Sequence, residues 1–278
     1  MSSTVIVVPC YNEAERLKLD DFREFARHAK GTRLLFVNDG SRDATLDKLH
    51  MLASENPRFF LIRDLAKNVG KAEAVRQGFL DAFDRRPDFV GFWDADLATP
   101  LSAIEQFQSV LERRADIQIV MGTRMRLRGR AIRRKTVRRL LGRAFAQVAS
   151  HILGASIYDT QCGAKLFRVT DECQAMFHEP FLARWIFDVE LLARLKGLRA
   201  DSAQPWEELL YELPLDAWED VAGSKLKPWD FVRAIGELFA IRRRYAAGVP
   251  YQLDAPAVVS FPVAARPVAQ EPGQRRAA

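Results

Sequence analysis

Phe89-Val90-Gly91-Phe92-Trp93-Asp94-Ala95-Asp96 is the stretch whose reading decides the fold. Its apolar run, closed by charge, reads as a buried strand. Two carboxylates one residue apart at the end of that strand lie at the C-terminal edge of a sheet, where open α/β sheets bind ligands. Carboxylates crowded together are costly unless a positive charge sits between them. A hard divalent cation is the usual answer, because it prefers oxygen ligands and bridges to phosphates. Taken alone, an Asp-x-Asp reads equally as a solvated turn.

Working outward, the same pattern recurs. Val5-Ile6-Val7-Val8 runs into Pro9-Cys10-Tyr11-Asn12-Glu13, a strand leaving into a loop, with a helix expected from about Glu15. Leu34-Leu35-Phe36-Val37 runs into Asn38-Asp39-Gly40-Ser41, where Ser41 or Asp43 can cap a helix through Leu46 and Leu49. Phe59–Arg63 leads to Asn68-Val69-Gly70-Lys71 and a helix near 72–83, and a fifth strand is expected at Ile117–Met121. Strands alternating with helices predict an α/β fold with a parallel sheet and right-handed crossovers. Parallel strands share one C-terminal edge, so their polar exits converge on one cleft.

These exits together resemble the family-2 glycosyltransferases of GT-A fold. The matching stretches are Val8–Glu13, Val37–Asp43, Asn68–Lys71 and Asp94-Ala95-Asp96. Further on, Asp159–Phe167, Arg184–Leu192 and Gly223-Ser224-Lys225-Leu226 resemble the dolichyl-phosphate glucosyltransferase branch and its polyprenyl-phosphate relatives. The resemblance spans about residues 4–245. It implies a Rossmann-like, mostly parallel sheet flanked by helices, with C-terminal helices at the acceptor side.

The resemblance also implies roles. Asp96 holds Mg2+ or Mn2+, with Asp94 toward the metal or the ribose. Pro9, Tyr11 and Glu13 pack around the base and ribose, Asp39 meets the base or ribose, and Lys71 reaches the donor phosphates. Arg124 contacts a phosphate, Lys225 touches phosphate from a closing loop, and Asp188 meets the sugar hydroxyls or acts as base if the acceptor is a hydroxyl. Each has a plainer reading. Asp39 and Asp188 can be helix caps, Glu13 a first-turn acid, Lys71 a loop cap and Lys225 a solvated lysine. Trp185 is a sugar platform or a buried aromatic, and Gly163 permits a tight turn.

The chain has 278 residues, 48% hydrophobic and 28% charged, ordinary for a globular enzyme. Its net charge of +6 is unevenly spread. Ten basic residues fall between Arg124 and Arg143, and no Asp or Glu lies between Asp116 and Asp159. The segment 124–153 is expected to face an acceptor phosphate or an anionic membrane, with Arg138 and Arg139 as a bidentate clamp. A solvated loop and a nucleic-acid site are the other readings; aromatic stacking partners are sparse, so no nucleic acid is expected.

The three cysteines lack metal-ligand spacing and suit a reducing compartment. Cys10 and Cys162 read as packing residues rather than nucleophiles. No apolar run is long enough to span a bilayer and no signal peptide is visible. A peripheral enzyme at the cytoplasmic face of a membrane is therefore expected. Residues 1–245 read as one catalytic domain, with a helix over Trp229–Tyr245 that docks on the domain or lies on the membrane, and 246–278 as a mostly disordered tail interrupted by proline.

The expected reaction is inverting transfer of a hexose, glucose favoured, to a polyprenyl or dolichyl phosphate. The donor is a nucleotide sugar, with UDP-glucose ahead of GDP-mannose. A saccharide hydroxyl acceptor is the alternative; a nucleotidyltransferase and an inactive membrane-surface scaffold are the more distant ones.

Overall fold

A computed structural model describes residues 2–125, 127–133, 136–221 and 228–245, with side chains described at all of these except 133, 136–141 and 228–232. Strands β1 (Thr4–Cys10), β2 (Thr32–Asn38), β3 (Phe60–Asp64) and β4 (Phe89–Trp93) alternate with helices α1 (Leu19–His28), α2 (Thr45–Glu55) and α3 (Lys71–Phe83). Helix α4 (Ala103–Arg113) then leads to β5 (Ile119–Thr123). There follow β6 (Ala131–Arg133), α5 (Thr136–Leu153), β7 (Ala164–Arg168), α6 (Asp171–His178) and α7 (Phe187–Leu198). The chain closes with β8 (Leu210–Pro214), β9 (Ala217–Glu219) and α8 (Pro228–Tyr245).

The main sheet has the order β3-β2-β1-β4-β7-β5-β8, and β6 pairs with β9 beside it. All neighbours in the main sheet are parallel except β7, which runs antiparallel to both β4 and β5. The expected parallel sheet is therefore present with one reversed strand inserted at its centre. Its sequence, Ala164-Lys165-Leu166-Phe167-Arg168, is short and carries a lysine, so periodicity alone does not mark it as central.

Successive strand residues point to opposite faces, and here both faces are covered. Val5, Val7, Leu35, Val37, Val90 and Phe92 join the core with residues of α3, α6 and α7. Ile6, Val8, Leu34, Phe36, Trp93 and Val120 join the other, with Phe22, Leu49 and Phe107. Burial on both sides explains why these strands read as unbroken apolar runs.

Two local expectations are corrected. The first helix begins at Leu19, not near Glu15. The N–H groups of Asn12, Glu13 and Ala14 donate instead to Ser41 Oγ, Thr45 Oγ1 and Asp43 Oδ2, at 3.0, 2.8 and 3.1 Å. The Leu17 N–H donates to Glu13 O at 2.8 Å, so a single turn forms over 13–17, but it is not continued and α1 starts separately. In α2 the residue at the cap position is Ala44, and Asp43 accepts from the Thr45 N–H at 3.0 Å. The tail 246–278 and Lys225 lie outside the described residues.

Candidate active site

The register decides what meets at the sheet edge. Cys10 pairs with Asn38 and Val7 with Phe92, so the exits of β1, β2 and β4 leave side by side. The first polar group, Asp39, donates its N–H to Cys10 O at 2.8 Å. Its carboxylate accepts from Val69 N (2.7 Å), Gly70 N (3.0 Å) and Asn68 Nδ2 (2.8 Å). Asp39 therefore fastens the 68–70 loop over the end of β2 rather than capping a helix. Burial holds its carboxyl above the usual range, against the lowering effect of these backbone donors and of Arg184. The crossing is close: Gly40 has φ +60°, and a Cβ there would lie 2.5 Å from Asn68 N. Both its conformation and the approach of the loop require glycine.

Asp94 and Asp96 follow β4 in a tight turn closed by the Leu97 N–H to Asp94 O at 3.1 Å, with Leu97 itself at φ +53°. A left-handed leucine is strained backbone, held by its buried surroundings. Asp94 faces Lys71 Nζ at 2.5 Å, and Asp96 faces Arg16 Nη2 at 3.2 Å. Burial and the neighbouring Asp94 charge raise the Asp96 carboxyl pKa. Desolvation would lower the Lys71 ammonium, but Asp94, Asp188 and Asp96 outweigh it and the net direction is up.

Glu13 is buried beside Arg16, whose Nε lies 2.8 Å from Glu13 Oε2, so the two carboxylates Glu13 and Asp96 share one guanidinium. With α1 starting at Leu19, Glu13 is not a first-turn acid. Pro9 lies within β1 opposite Val37, and Tyr11 follows at the loop's start.

From the other side comes the loop before β7. Asp94 N–H donates to Gly163 O at 3.0 Å, and a Cβ on Gly163 would fall 1.8 Å from Asp94 Oδ2. Gly163 is needed because the carboxylate occupies the space of a side chain. Beyond it, Lys165 Nζ donates to Thr160 O (3.0 Å), Cys162 O (2.8 Å) and Asp188 Oδ1 (2.5 Å). Asp188 sits inside α7, one residue past its start, and makes no capping bond. Its burial raises its pKa despite Lys165 and Lys71. Trp185 is a partly buried member of the apolar core.

Arg124 engages Asp159 in a two-point bond, Nε to Oδ2 and Nη2 to Oδ1, both 2.7 Å, with Trp218 5.2 Å beneath its guanidinium. Asp159 in turn is set by Glu212, which accepts from Tyr158 N and Asp159 N at 3.0 and 3.1 Å. Arg138 and Arg139 lie in the first turns of α5, their side chains outside the described residues, as is Lys225 altogether. The structure thus brings together Asp94, Asp96, Lys71, Glu13 and Asp188. Arg16, Lys165 and Glu212 complete the charge network without having been assigned a role from sequence. Arg16 is three residues after Glu13, the one local hint. The three cysteines are buried, with the Cys162 and Cys173 thiols pushed up to about 11 and about 12 by burial, which fits packing residues.

Among the described residues no cluster of three or more His, Cys, Asp or Glu is placed to hold a metal. The Asp94–Asp96 pair is the available donor set. Two carboxylates, that of Asp96 with its pKa raised by burial and by Asp94, suit a hard divalent cation whose remaining ligands come from phosphate and water.

Residues 5–177 match the model of the family described as Glycosyl transferase family 2. The chain belongs to glycosyl transferase family 2. Among relatives of this glycosyltransferase, the dolichyl-phosphate beta-glucosyltransferase of Drosophila melanogaster is 33% identical over 258 residues, covering 87% of this chain and 75% of the relative. The Homo sapiens protein of that name is 30% identical, with 87% and 76% covered. Among solved structures, the glucosyl-3-phosphoglycerate synthase of Mycobacterium tuberculosis, in complex with Mn2+, UDP-glucose and phosphoglyceric acid, superposes with a TM-score of 0.62 at 17% identity, covering 87% of this chain and 80% of that one. That likeness shows the shared GT-A fold expected from the sequence. Among the described residues of this family-2 enzyme, no helix is long and apolar enough to cross a membrane.

Proposed function

We propose that the enzyme transfers a hexose, with glucose first among candidates, from a nucleoside-diphosphate sugar to a polyprenyl or dolichyl phosphate, with inversion. The observation that carries this reading is the likeness to dolichyl-phosphate beta-glucosyltransferases across 87% of the chain. The geometry supports it. Asp188, the candidate base for a hydroxyl acceptor, is buried against Lys165, and Asp159 is held by Arg124. A phosphate acceptor is already anionic and needs no base.

In this reading the 68–70 loop, fixed by Asp39, and the segment Pro9, Tyr11 and Glu13 form the wall against base and ribose. Mg2+ or Mn2+, held by Asp96 and Asp94, supplies neutralisation of the charge that builds on the departing diphosphate. Lys71, at the start of α3 and beside Asp94, adds a second positive charge at the same edge. An acceptor phosphate oxygen attacks the anomeric carbon, its bond to the diphosphate breaks, and the nucleoside diphosphate leaves with the electron pair. Arg138, Arg139 and Lys225 hold the acceptor phosphate. Arg124 keeps the 157–163 segment in place from its pair with Asp159. Asp188, through Lys165, shapes the sugar site. The enzyme acts from the cytoplasmic face of a membrane, to which three buried cysteines without metal-ligand spacing are suited.

The test is release of nucleoside diphosphate from a panel of UDP- and GDP-sugars with Mg2+ or Mn2+, with and without a short polyprenyl phosphate. Release that requires the lipid and one sugar supports the proposal and names the donor. Donor hydrolysis or transfer indifferent to the lipid, with turnover on a saccharide, overturns it.

A further inference from the structure

Helix α8 turns two chemically different faces outward and inward. Ala234, Leu238, Ile241 and Tyr245 are buried, and the helix packs on α7 and α5. Ile235 and Phe239, one turn apart, are 54% and 63% exposed. Arg242 continues their stripe and Arg243 lies beside it, both exposed. Among the side chains described for α8, residues 233–245, the one carboxylate is Glu237, and it is occupied. Glu237 accepts the N–H groups of Arg184, Trp185 and Ile186 at 3.1, 3.2 and 3.3 Å. Among the described side chains of α8 the stripe therefore carries apolar bulk and positive charge, and the one carboxylate is already engaged.

We infer that this face of α8 docks on an anionic lipid bilayer. Ile235 and Phe239 enter the boundary between headgroups and acyl chains, and Arg242 and Arg243 reach lipid phosphates along their apolar stems. Charge complementarity selects the occupant. The neighbouring helix α5 packs against α8 and carries the exposed Arg143, and the segment 117–158 to which it belongs contains ten Lys and Arg and no Asp or Glu in sequence. A surface of that kind gains from an anionic leaflet for each arginine near it.

The same helix connects this face to the catalytic cleft. Through Glu237 it holds the segment that leads into α7 and Asp188, and Leu182 just before that segment is 51% exposed. The Arg184 guanidinium lies over the 68–70 loop, where a Cβ built on Gly70 would come within 3.6 Å of its Nη2. Docking of α8 thus sets the mouth of the site against the bilayer. The purpose of that arrangement rests on the lipid-phosphate reading above; the docking itself does not.

The test is co-sedimentation of the full chain with vesicles of phosphatidylcholine alone and of phosphatidylcholine with phosphatidylglycerol. Binding is expected to the anionic vesicles and to weaken with salt. The variant Arg242→Glu/Arg243→Glu should lose at least about 25-fold in partition coefficient, about fivefold per arginine. Ile235→Ser/Phe239→Ser should lose at least about tenfold with an unchanged thermal midpoint. Both variants should keep wild-type turnover on a short, water-soluble prenyl phosphate without vesicles. Wild-type protein that ignores anionic vesicles, or variants that bind them as wild type does, overturns the docking. Absence of turnover on the soluble acceptor, with vesicle binding intact, overturns the acceptor reading instead.

Discussion

Asp94 and Asp96 keep 34% and 23% of their side chains exposed, and the cations that face them, Lys71 and Arg16, keep 32% and 22%. In and around α7 the same chemistry is sealed. Arg194 and Glu190 pair at 1% and 0% exposure, and Lys165 and Asp188 at 2% and 8%. The Glu190–Arg194 pair is also multiply bonded: Glu190 takes the N–H groups of Leu182 and Ala183, and Arg194 donates to the carbonyls of Met176, Glu179 and Pro180. Charges at the β4 edge have partners that a ligand can replace. Charges around α7 have partners that nothing can replace without unfolding the segment. In the proposed reading the first set meets the donor, while the Glu190–Arg194 pair holds the 179–190 segment.

The contrast can be broken by substitution. Asp96→Ala should lower kcat by at least about 10³-fold, in line with removal of a group that meets developing charge, and leave the thermal midpoint within a few degrees. Steady-state nucleoside diphosphate release with parallel calorimetry checks this, and an unfolded Asp96→Ala would dissolve the distinction. Glu190→Ala should do the reverse. It strands Arg194 in the core and should cost about 3–5 kcal/mol of stability, read from the urea midpoint. A stable Glu190→Ala would place α7's charges in the same class as those of the cleft.

Gly163→Ala sharpens the boundary between the two regions, because its new methyl claims the space of the Asp94 carboxylate. Displacing that carboxylate by about 1 Å should reduce kcat about 10²-fold with little change in fold content by circular dichroism. Wild-type rates would show that Asp94 tolerates relocation.

The smallest effect is a pH signature. The folded Asp96 carboxyl is raised above its ordinary value of 3.8 by burial and Asp94. The native state therefore binds a proton more tightly than the unfolded chain, and ionising Asp96 costs stability as pH rises from that ordinary value through the raised one. Asp96→Asn should thus unfold at higher urea than wild type at pH 7, and the advantage should vanish below pH 3.8. An advantage equal at both pH values would locate the cost elsewhere than in the charge.

How much of this was legible follows from the range of each interaction. Strands β1 to β5, their exits and the Asp94–Asp96 edge were readable, since an apolar run and its polar stop are neighbours in sequence. Helix α1 starts later than expected because the turn over 13–17 is not continued, and the side chains about thirty positions away that take the N–H groups of 12–14 are out of reach of a local reading. The long-range bonds of Asp39 and Gly163 were hidden for the same reason. The plainer local readings, a helix cap for Asp39 and a tight turn for Gly163, leave out the 68–70 loop that Asp39 holds and the Asp94 carboxylate that fills the space beside Gly163.

The chain alone determined the parallel framework and which carboxylates stand at its edge, because hydrophobic runs set strands and strand ends set their exits. Tertiary structure decided the reversed strand β7, the closing of Arg16 onto Asp96 across 80 positions, and the sealing of Asp188 by Lys165. A charge in sequence does not show its partner. The fold chooses it, by which elements it carries to within a few ångströms and which it shuts away from water.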